Sequence, residues 1–472
     1  MNAPDHSTLG EPARSLLEGE YSNMLSCIRC GLCLTSCPTY VLSGHEAEGP
    51  RGRVAMARAF VEGKTDLTPD LIVHEQNCLV CDACTAVCPA GVSMDPIQVA
   101  LRTAMEPHLN AERPAHLRGL RRMVFRKLFA DMRLFRFLVR SLGLYQRTGL
   151  QWLARRSGTL KLLRLDEPEA LLPPKLPGRF VVPRGKRHPA QRSGTEERSV
   201  GLFAGCVMST AMADVDRATV RVCRKAGWTV SETAGQGCCG ALNAHGGDLE
   251  GMKTLAKRNI AAFEDEGDSS VVVNSAGCGA MLKDYAHHFR DDEEWAERAK
   301  AFSGRVRDVT ELVEPGDLEF KRKVERTVTY QEPCHLVHAQ RISEQPRALL
   351  KAIPGLELRE MEESSLCCGS AGVYNVTNPE ESSRLQERKL DNAAATGAGT
   401  IVTANPGCHM QLAGGLRNRG EATEVKHIVE LLDEGTGGVE EWRSREGQRI
   451  AILPSTSPEA SHEKQGEPHA DF

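Results

Sequence analysis

Residues 27–88 hold eight of the chain's seventeen cysteines, and their spacing restricts the chain more than any other feature. They read Cys27-Ile-Arg-Cys30-Gly-Leu-Cys33-Leu-Thr-Ser-Cys37-Pro38 and then Cys78-Leu-Val-Cys81-Asp-Ala-Cys84-Thr-Ala-Val-Cys88-Pro89. Each half is C-x2-C-x2-C-x3-C-P. A cubane [4Fe–4S] cluster needs four soft thiolates converging on four irons. Two-residue gaps let a short loop wrap three of them around one side, and the x3-C-P step sends the fourth to a neighbouring cluster. The spacing therefore predicts two clusters with exchanged fourth ligands. Cys27, Cys30, Cys33 and Cys88 hold one; Cys78, Cys81, Cys84 and Cys37 hold the other. The alternatives are zinc sites or disulfides, but zinc fingers use C-x2-C pairs rather than repeated four-cysteine runs ending in proline.

The rest of the composition narrows the setting. A chain of 472 residues has room for roughly three domains. A formal charge of −4 and only 5% aromatic residues argue against nucleic acid as a partner. Residues 1–20 carry Asp5, Glu11, Glu18 and Glu20 around no apolar core, unlike a signal peptide. No apolar run is long enough to span a bilayer. A cytoplasmic location follows as the expectation, and in that reducing compartment many cysteines mean metal or redox work.

Taken in order, residues 1–15 read as a flexible tail. Leu16, Leu17, Tyr21 and Met24 suggest a short helix into the first cysteine loop. Arg53–Glu62 has helical composition with Gly63 as its stop, and Pro96–Glu106 makes another helix. These bound a helical two-cluster domain over residues 16–109. Arg51 and Arg53 either offset the charge of the thiolate-rich clusters or form a solvated helix start. Residues 110–198 read as a basic helical segment and linker. Between 113 and 164 there are fourteen Lys or Arg and one acid, Asp131. Phe125, Leu128, Phe129, Met132, Phe135, Leu138, Val139 and Leu142 recur at helical steps. That stripe has three potential covers: an anionic membrane surface, a partner subunit, or this protein's own core. Pro168–Gly194 reads as linker.

The second half repeats. Cys206, Cys238-Cys239-Gly240 and Cys278 in one unit answer to Cys334, Cys367-Cys368-Gly369 and Cys408 in the next, at offsets of 128, 129 and 130 residues. Two copies of a domain of roughly 120 residues, each able to hold its own core, are expected over 199–315 and 316–434. Strands are expected at Ser199–Phe203, Ser270–Asn274, Thr327–Gln331 and Thr400–Ala404, with a helix at Ala211–Ala226. The pattern is α/β with mainly parallel strands. The cysteines fall just past strand carboxyl ends, where open α/β sheets place ligands, and the adjacent glycines leave room for a bulky inorganic group. Cys206, Cys238, Cys239 and Cys278, and then Cys334, Cys367, Cys368 and Cys408, are thus candidates for a further cluster or metal, one per unit or one shared. The alternative is a structural metal or buried thiols. Cys223 reads as a small buried hydrophobe. His335, His338 and His409 flank the second set and are candidates for bonds to sulfur or proton transfer. Gly235, Gly237 and Gly240 match G-x-G-x-x-G only formally, because two cysteines fill the last gap and Gly246-Gly247 interrupts any following helix. Residues 435–472 read as a disordered tail.

This order of motifs resembles the iron–sulfur subunit of glycolate oxidase over about residues 20–434. The stretches that carry the likeness include Cys27-Ile-Arg-Cys30-Gly-Leu-Cys33, Gly49-Pro50-Arg51-Gly52-Arg53, Leu366-Cys367-Cys368-Gly369-Ser370-Ala371-Gly372 and Val402-Thr403-Ala404-Asn405-Pro406-Gly407-Cys408. The resemblance implies an α+β multidomain chain: a helical two-[4Fe–4S] ferredoxin-like domain, then two repeated cysteine-rich CCG domains. It implies flavin-containing partner subunits that oxidise glycolate to glyoxylate, with this chain relaying electrons toward quinone or another acceptor. The complex would be cytoplasmic or peripheral on the inner face of the membrane. Subunits of anaerobic glycerol-3-phosphate dehydrogenase and lactate-utilisation proteins share the architecture. Heterodisulfide reductase units share the second half but end in C-x2-C, where this chain has Met281 and Gln411, leaving a simpler site or none.

Three functions compete. An electron-transfer subunit fits best, since no flavin or nicotinamide signature and no independent catalytic residues are found; such a chain carries electrons but does not start the chemistry. An enzyme acting on a thiol or disulfide at the Cys-Cys-Gly units is the second. A redox-sensing scaffold is the third.

Overall fold

The computed structural model describes residues 11–162, 169–191, 198–264, 266 and 269–438. Most of the two expected tails, residues 1–10 and 439–472, lies outside these. A helix already runs Glu11–Gly19, so the part of the first tail that is described is ordered. The chain is α+β: helices fill the first third, and two sheets follow.

The first region is built around three helices, Pro50–Val61, Pro69–Gln76 and Met94–Glu112. Thr68 caps the second, its Oγ1 accepting from the Leu71 amide at 3.3 Å, with proline at the first helical position where a missing N–H costs nothing. The third outruns the expected Pro96–Glu106 at both ends. Its buried face, Ile97, Ala100, Leu101, Ala104 and Met105, recurs at three- and four-residue steps and joins Val54, Ala57 and Phe60 in one core.

The basic segment folds as helices Ala115–Met123, Met132–Arg147 and Leu150–Arg156, joined by a π turn at Val124–Leu128. Of the three potential covers for its apolar stripe, the protein's own core takes the inner face. Met132, Phe135 and Val139 pack with Leu176, Cys206, Cys238 and Leu255. The outer face keeps Phe137 at 68% and Trp152 at 62% exposure, beside Leu144 and Leu153. Among the described residues no helix is long and apolar enough to cross a membrane.

The first sheet comprises β1 (Lys186–His188), β2 (Arg198–Leu202), β3 (Trp228–Glu232), β4 (Ser270–Val273) and β5 (Val306–Asp308) in the order β1-β3-β2-β4-β5. The second comprises β6 (Arg326–Tyr330), β7 (Leu356–Arg359), β8 (Thr400–Thr403) and β9 (Glu424–His427) in the order β7-β6-β8-β9. Apart from β1, the two orders are the same, as a duplicated domain requires, and all those strands are parallel. β1 corrects the reading of Pro168–Gly194 as plain linker: it pairs antiparallel with β3 at the sheet edge. The units also do not hold fully separate cores. One continuous core runs from Val200, Val222 and Val272 to Val328, Leu349 and Leu432. It is pinned by Arg221, whose Nη2 donates to Oδ2 of the buried Asp433 at 2.6 Å.

Candidate iron–sulfur centres

Both cysteine loops of the first region bend the same way. Arg29 and Gly31 have φ of 57° and 82°; Val80 and Asp82, at the same places in the second loop, have 50° and 58°. Left-handed backbone is costly for a β-branched valine and persists where a site demands it. The turns aim backbone amides inward: Val80 N–H donates to Cys78 Sγ at 3.4 Å, and Val92 N–H to Cys88 Sγ at 3.3 Å. Two neighbouring cavities result. One is lined by Cys27, Cys30, Cys33 and Cys88. The other is lined by Cys37, Cys78, Cys81 and Cys84. Cys84, Pro50 and Met94 border both. Cys88 lines the cavity of the first loop and Cys37 that of the second, while Cys84 reaches both.

The electrostatics favour a cationic guest. Burial first, and then the neighbouring Cys78, hold the Cys84 thiol well above its ordinary range. Thiols gathered this closely ionise together only with metal ions among them. Of the two arginines singled out, Arg53 is the buried one. It pairs with Glu48 at 2.6 Å, donates to Thr39 Oγ1 at 3.0 Å and to Cys37 Sγ at 3.9 Å. Arg51 stays outside, paired with Glu46 and bonded to the Arg29 carbonyl. Arg102, which no sequence signal marked, is half-buried and donates to the Cys78 carbonyl and to His245 O at 2.8 Å.

In each repeat, three adjacent parallel strands end beside one another, and the loops beyond them bring four cysteines together. The chain leaves the first strand of each unit toward one neighbour and returns on the other side, which opens a crevice at the carboxyl edge. Cys206 Sγ lies 3.8 Å from Cys238 Sγ, and Cys334 Sγ lies 4.0 Å from Cys367 Sγ. The second cysteine of each adjacent pair links the set: the Cys239 thiol lies in hydrogen-bonding reach of both Cys238 and Cys278, and that of Cys368 of both Cys367 and Cys408. Gly240 and Gly369, at φ of 85° and 86°, follow these pairs. Their space serves packing rather than a bulky ligand, since an added Cβ would meet Met252 or the Ser382 carbonyl. Cys223 is buried in the common core, its thiol pushed up to about 12 by burial.

The two sets have different neighbours. Cys334 and Cys367 pack with Leu79, Cys81 and Ala83, so the second set abuts the second ferredoxin-type cavity. Of the three flagged histidines only His335 touches sulfur, its Nδ1 3.8 Å from Cys334 Sγ. Burial opposes its protonation, but Cys334, Asp82 and Asp95 outweigh that and lift it to about 9. Its ring stacks on His245 at 5.6 Å. His338 faces the Ser365 carbonyl at 3.1 Å, and His409 is half-buried, its imidazole pushed down to about 4 by desolvation.

Comparison with known proteins agrees with this layout. Residues 23–92 match the 4Fe-4S dicluster domain, 116–172 the linker region of the glycolate oxidase iron-sulfur subunit, and 200–283 and 328–413 the cysteine-rich domain. A probable glycolate oxidase iron-sulfur subunit of Bacillus subtilis is 39% identical over 89% of this chain and 95% of its own length. The chain belongs to the glycolate oxidase iron–sulfur subunit family. The Escherichia coli glycolate oxidase iron-sulfur subunit is 30% identical over 88% of this chain and 94% of its own. Lactate utilization protein A of Shouchella clausii is 34% identical, covering 50% of this chain and 98% of its own. The two [4Fe–4S] clusters and the duplicated cysteine-rich domains expected of this chain are those of the family.

Proposed function

We propose that this chain relays electrons within a complex that oxidises a 2-hydroxy acid, glycolate as in its named relatives, the flavin being on a partner subunit. The observation that carries the reading is the continuity of thiols from the first cavity, through the second, to Cys334. We assign Cys27, Cys30, Cys33 and Cys88 to one cluster and Cys78, Cys81, Cys84 and Cys37 to the other. The sets Cys206, Cys238, Cys239, Cys278 and Cys334, Cys367, Cys368, Cys408 are assigned to further metal–thiolate groups. The modules are residues 16–109, 110–198, 199–315 and 316–434.

Oxidation of glycolate to glyoxylate releases two electrons and two protons, taken up at the flavin. When bound, a [4Fe–4S] cluster takes and returns one electron at a time. The chain's own residues hold that group: left-handed turns aim amides at sulfur, Arg53 and Arg102 offset negative charge, and Val54, Met94 and Ile28 form apolar walls. Cys30 is exposed, and Ile28, Leu32, Leu25 and Val87 are exposed on the two cysteine loops or close by them, which supports entry of electrons from the flavin subunit there. The exit leads to quinone or another acceptor. The outer face of the basic segment, with Phe137, Leu144 and Trp152 among arginines, supports peripheral contact with the anionic inner membrane face.

The test is the purified complex assayed for dye reduction with glycolate, lactate and glycerol-3-phosphate. Lactate has a specific claim, because the lactate-utilisation relatives cover half of this chain. Cys33→Ser should stop onward transfer while flavin reduction by substrate continues. Unchanged onward transfer, or turnover with glycerol-3-phosphate alone, refutes the reading. Flotation with anionic vesicles at low and high salt tests the membrane contact.

A further inference from the structure

The repeats differ at one buried position beside the thiols. Helices Leu249–Glu264 and Pro379–Ala395 lie between the cysteine pair and the last cysteine in each unit. At the offset that relates Cys278 to Cys408, Asn259 corresponds to Lys389. Asn259 is fully buried with neutral partners: it accepts from Gly237 N–H and donates to the Cys238 carbonyl, both at 2.9 Å, and reaches Tyr285 Oη at 3.2 Å. Lys389 is just as buried, yet brings an ionisable amine to the same place. Its ammonium donates to the carbonyls of Glu363 and Ser364, in the loop that leads to Cys367. Among the described residues no carboxylate pairs with it, since that of Glu363 goes to Arg388 and Asn392. A buried ammonium is costly unless an anion sits close by. The anions available are the thiolates: the next residue, Leu390, packs with Cys368 and Cys408, and although burial lowers the Lys389 basicity overall, those two sulfurs and Cys367 lead the groups that oppose it.

We infer that Lys389 is the buried countercharge of an anionic metal–thiolate group on Cys334, Cys367, Cys368 and Cys408, and that it sets this group's reduction potential above that of the first unit's group. The inference rests on the proposed ligation by these thiols. A cation beside the group stabilises the extra electron, and so does a hydrogen bond to its sulfur. Asn405 supplies such a bond, Nδ2 donating to Cys408 Sγ at 3.4 Å. At the matching place in the first unit, Ser275 turns to Asn405 Oδ1 at 3.5 Å instead.

The experiment uses the purified full-length protein with its clusters: iron and sulfide are counted, and a redox titration is followed by electron paramagnetic resonance. Wild-type protein should hold more iron than the eight atoms of two [4Fe–4S] clusters; a count of eight refutes the ligation itself. Given the extra iron, Lys389→Met should either shift one additional centre to a more negative potential or lose its iron, and Lys389→Arg should retain both. Asn259→Lys should move the other additional centre to a more positive potential. The signals of the two N-terminal clusters should stay in place in all three. Lys389→Met with every potential and the full iron content unchanged overturns the inference. So does Asn259→Lys without a shift, should Lys389→Met fail to fold.

Discussion

In the first repeat, Cys206 and Cys238 lie under Met132 and Phe135 of the basic segment; in the second, Cys334 and Cys367 lie against Leu79 and Cys81 of the second ferredoxin-type loop. Both sets occupy the same strand ends at nearly the same spacing. What separates them is what covers them. One repeat faces the side of the molecule that carries exposed tryptophan, phenylalanine and arginine; the other continues the line of thiols from the N-terminal cavities. Duplication supplied two equal crevices, and packing gave them different neighbours. A buried lysine then stands in the second where the first has an asparagine.

Substitutions placed in pairs break or sharpen this contrast. The largest effect is expected from Cys334→Ser against Cys206→Ser. The first should alter the line shape of the N-terminal cluster signals and cut onward electron transfer, because Cys334 packs with Cys81. The second should leave those signals as they are; paramagnetic spectra of the reduced complex decide it. Next comes the basic segment. Phe135→Ala removes a buried ring beside Cys206 and should cost about 3–5 kcal/mol in chemical unfolding. Phe137→Ala, on the exposed side of the same helix, should change stability by less than about 0.5 kcal/mol yet weaken binding to anionic vesicles.

A smaller difference separates the two glycines after the cysteine pairs. Both have left-handed φ, so alanine strains either by about 1–3 kcal/mol. At Gly369 the new Cβ would lie 2.5 Å from the Ser382 carbonyl, which is backbone; at Gly240 it first meets Met252 Cγ, at 2.9 Å. Gly369→Ala should therefore lower the melting temperature more than Gly240→Ala. The smallest effect is a gain. Asp216 of the first repeat is wholly buried, and burial lifts its carboxyl to about 8 although Asn274 donates to it at 2.8 Å. The folded state keeps a proton that the unfolded state releases near 4, so this group's contribution is full below that and shrinks as pH rises toward 8. Asp216→Asn should flatten that decline, read as melting temperature against pH.

What local spacing encodes was legible. The C-x2-C-x2-C-x3-C-P runs state which thiols share a loop, and the last cysteine of each run lines the cavity of the other loop. The duplicated cysteine offsets revealed the repeat, and the expected strands lie within a residue of those observed, because β-rich runs bounded by glycine and cysteine loops are signals a few residues long. Arg53 was visible as a candidate but not its burial, which depends on the turn of a helix against Thr39 and Glu48.

Everything that depends on contact between elements far apart along the chain was decided by the tertiary structure. Examples are the common core of the two repeats, the recruitment of β1, the burial of Lys389, the reach of Arg102 to His245, and the choice of which thiol set meets the second cluster cavity. The physical reason is that a ligand loop carries its geometry in its own backbone. A relay, by contrast, needs its loops laid end to end, and only the packing of whole helices and sheets fixes that order.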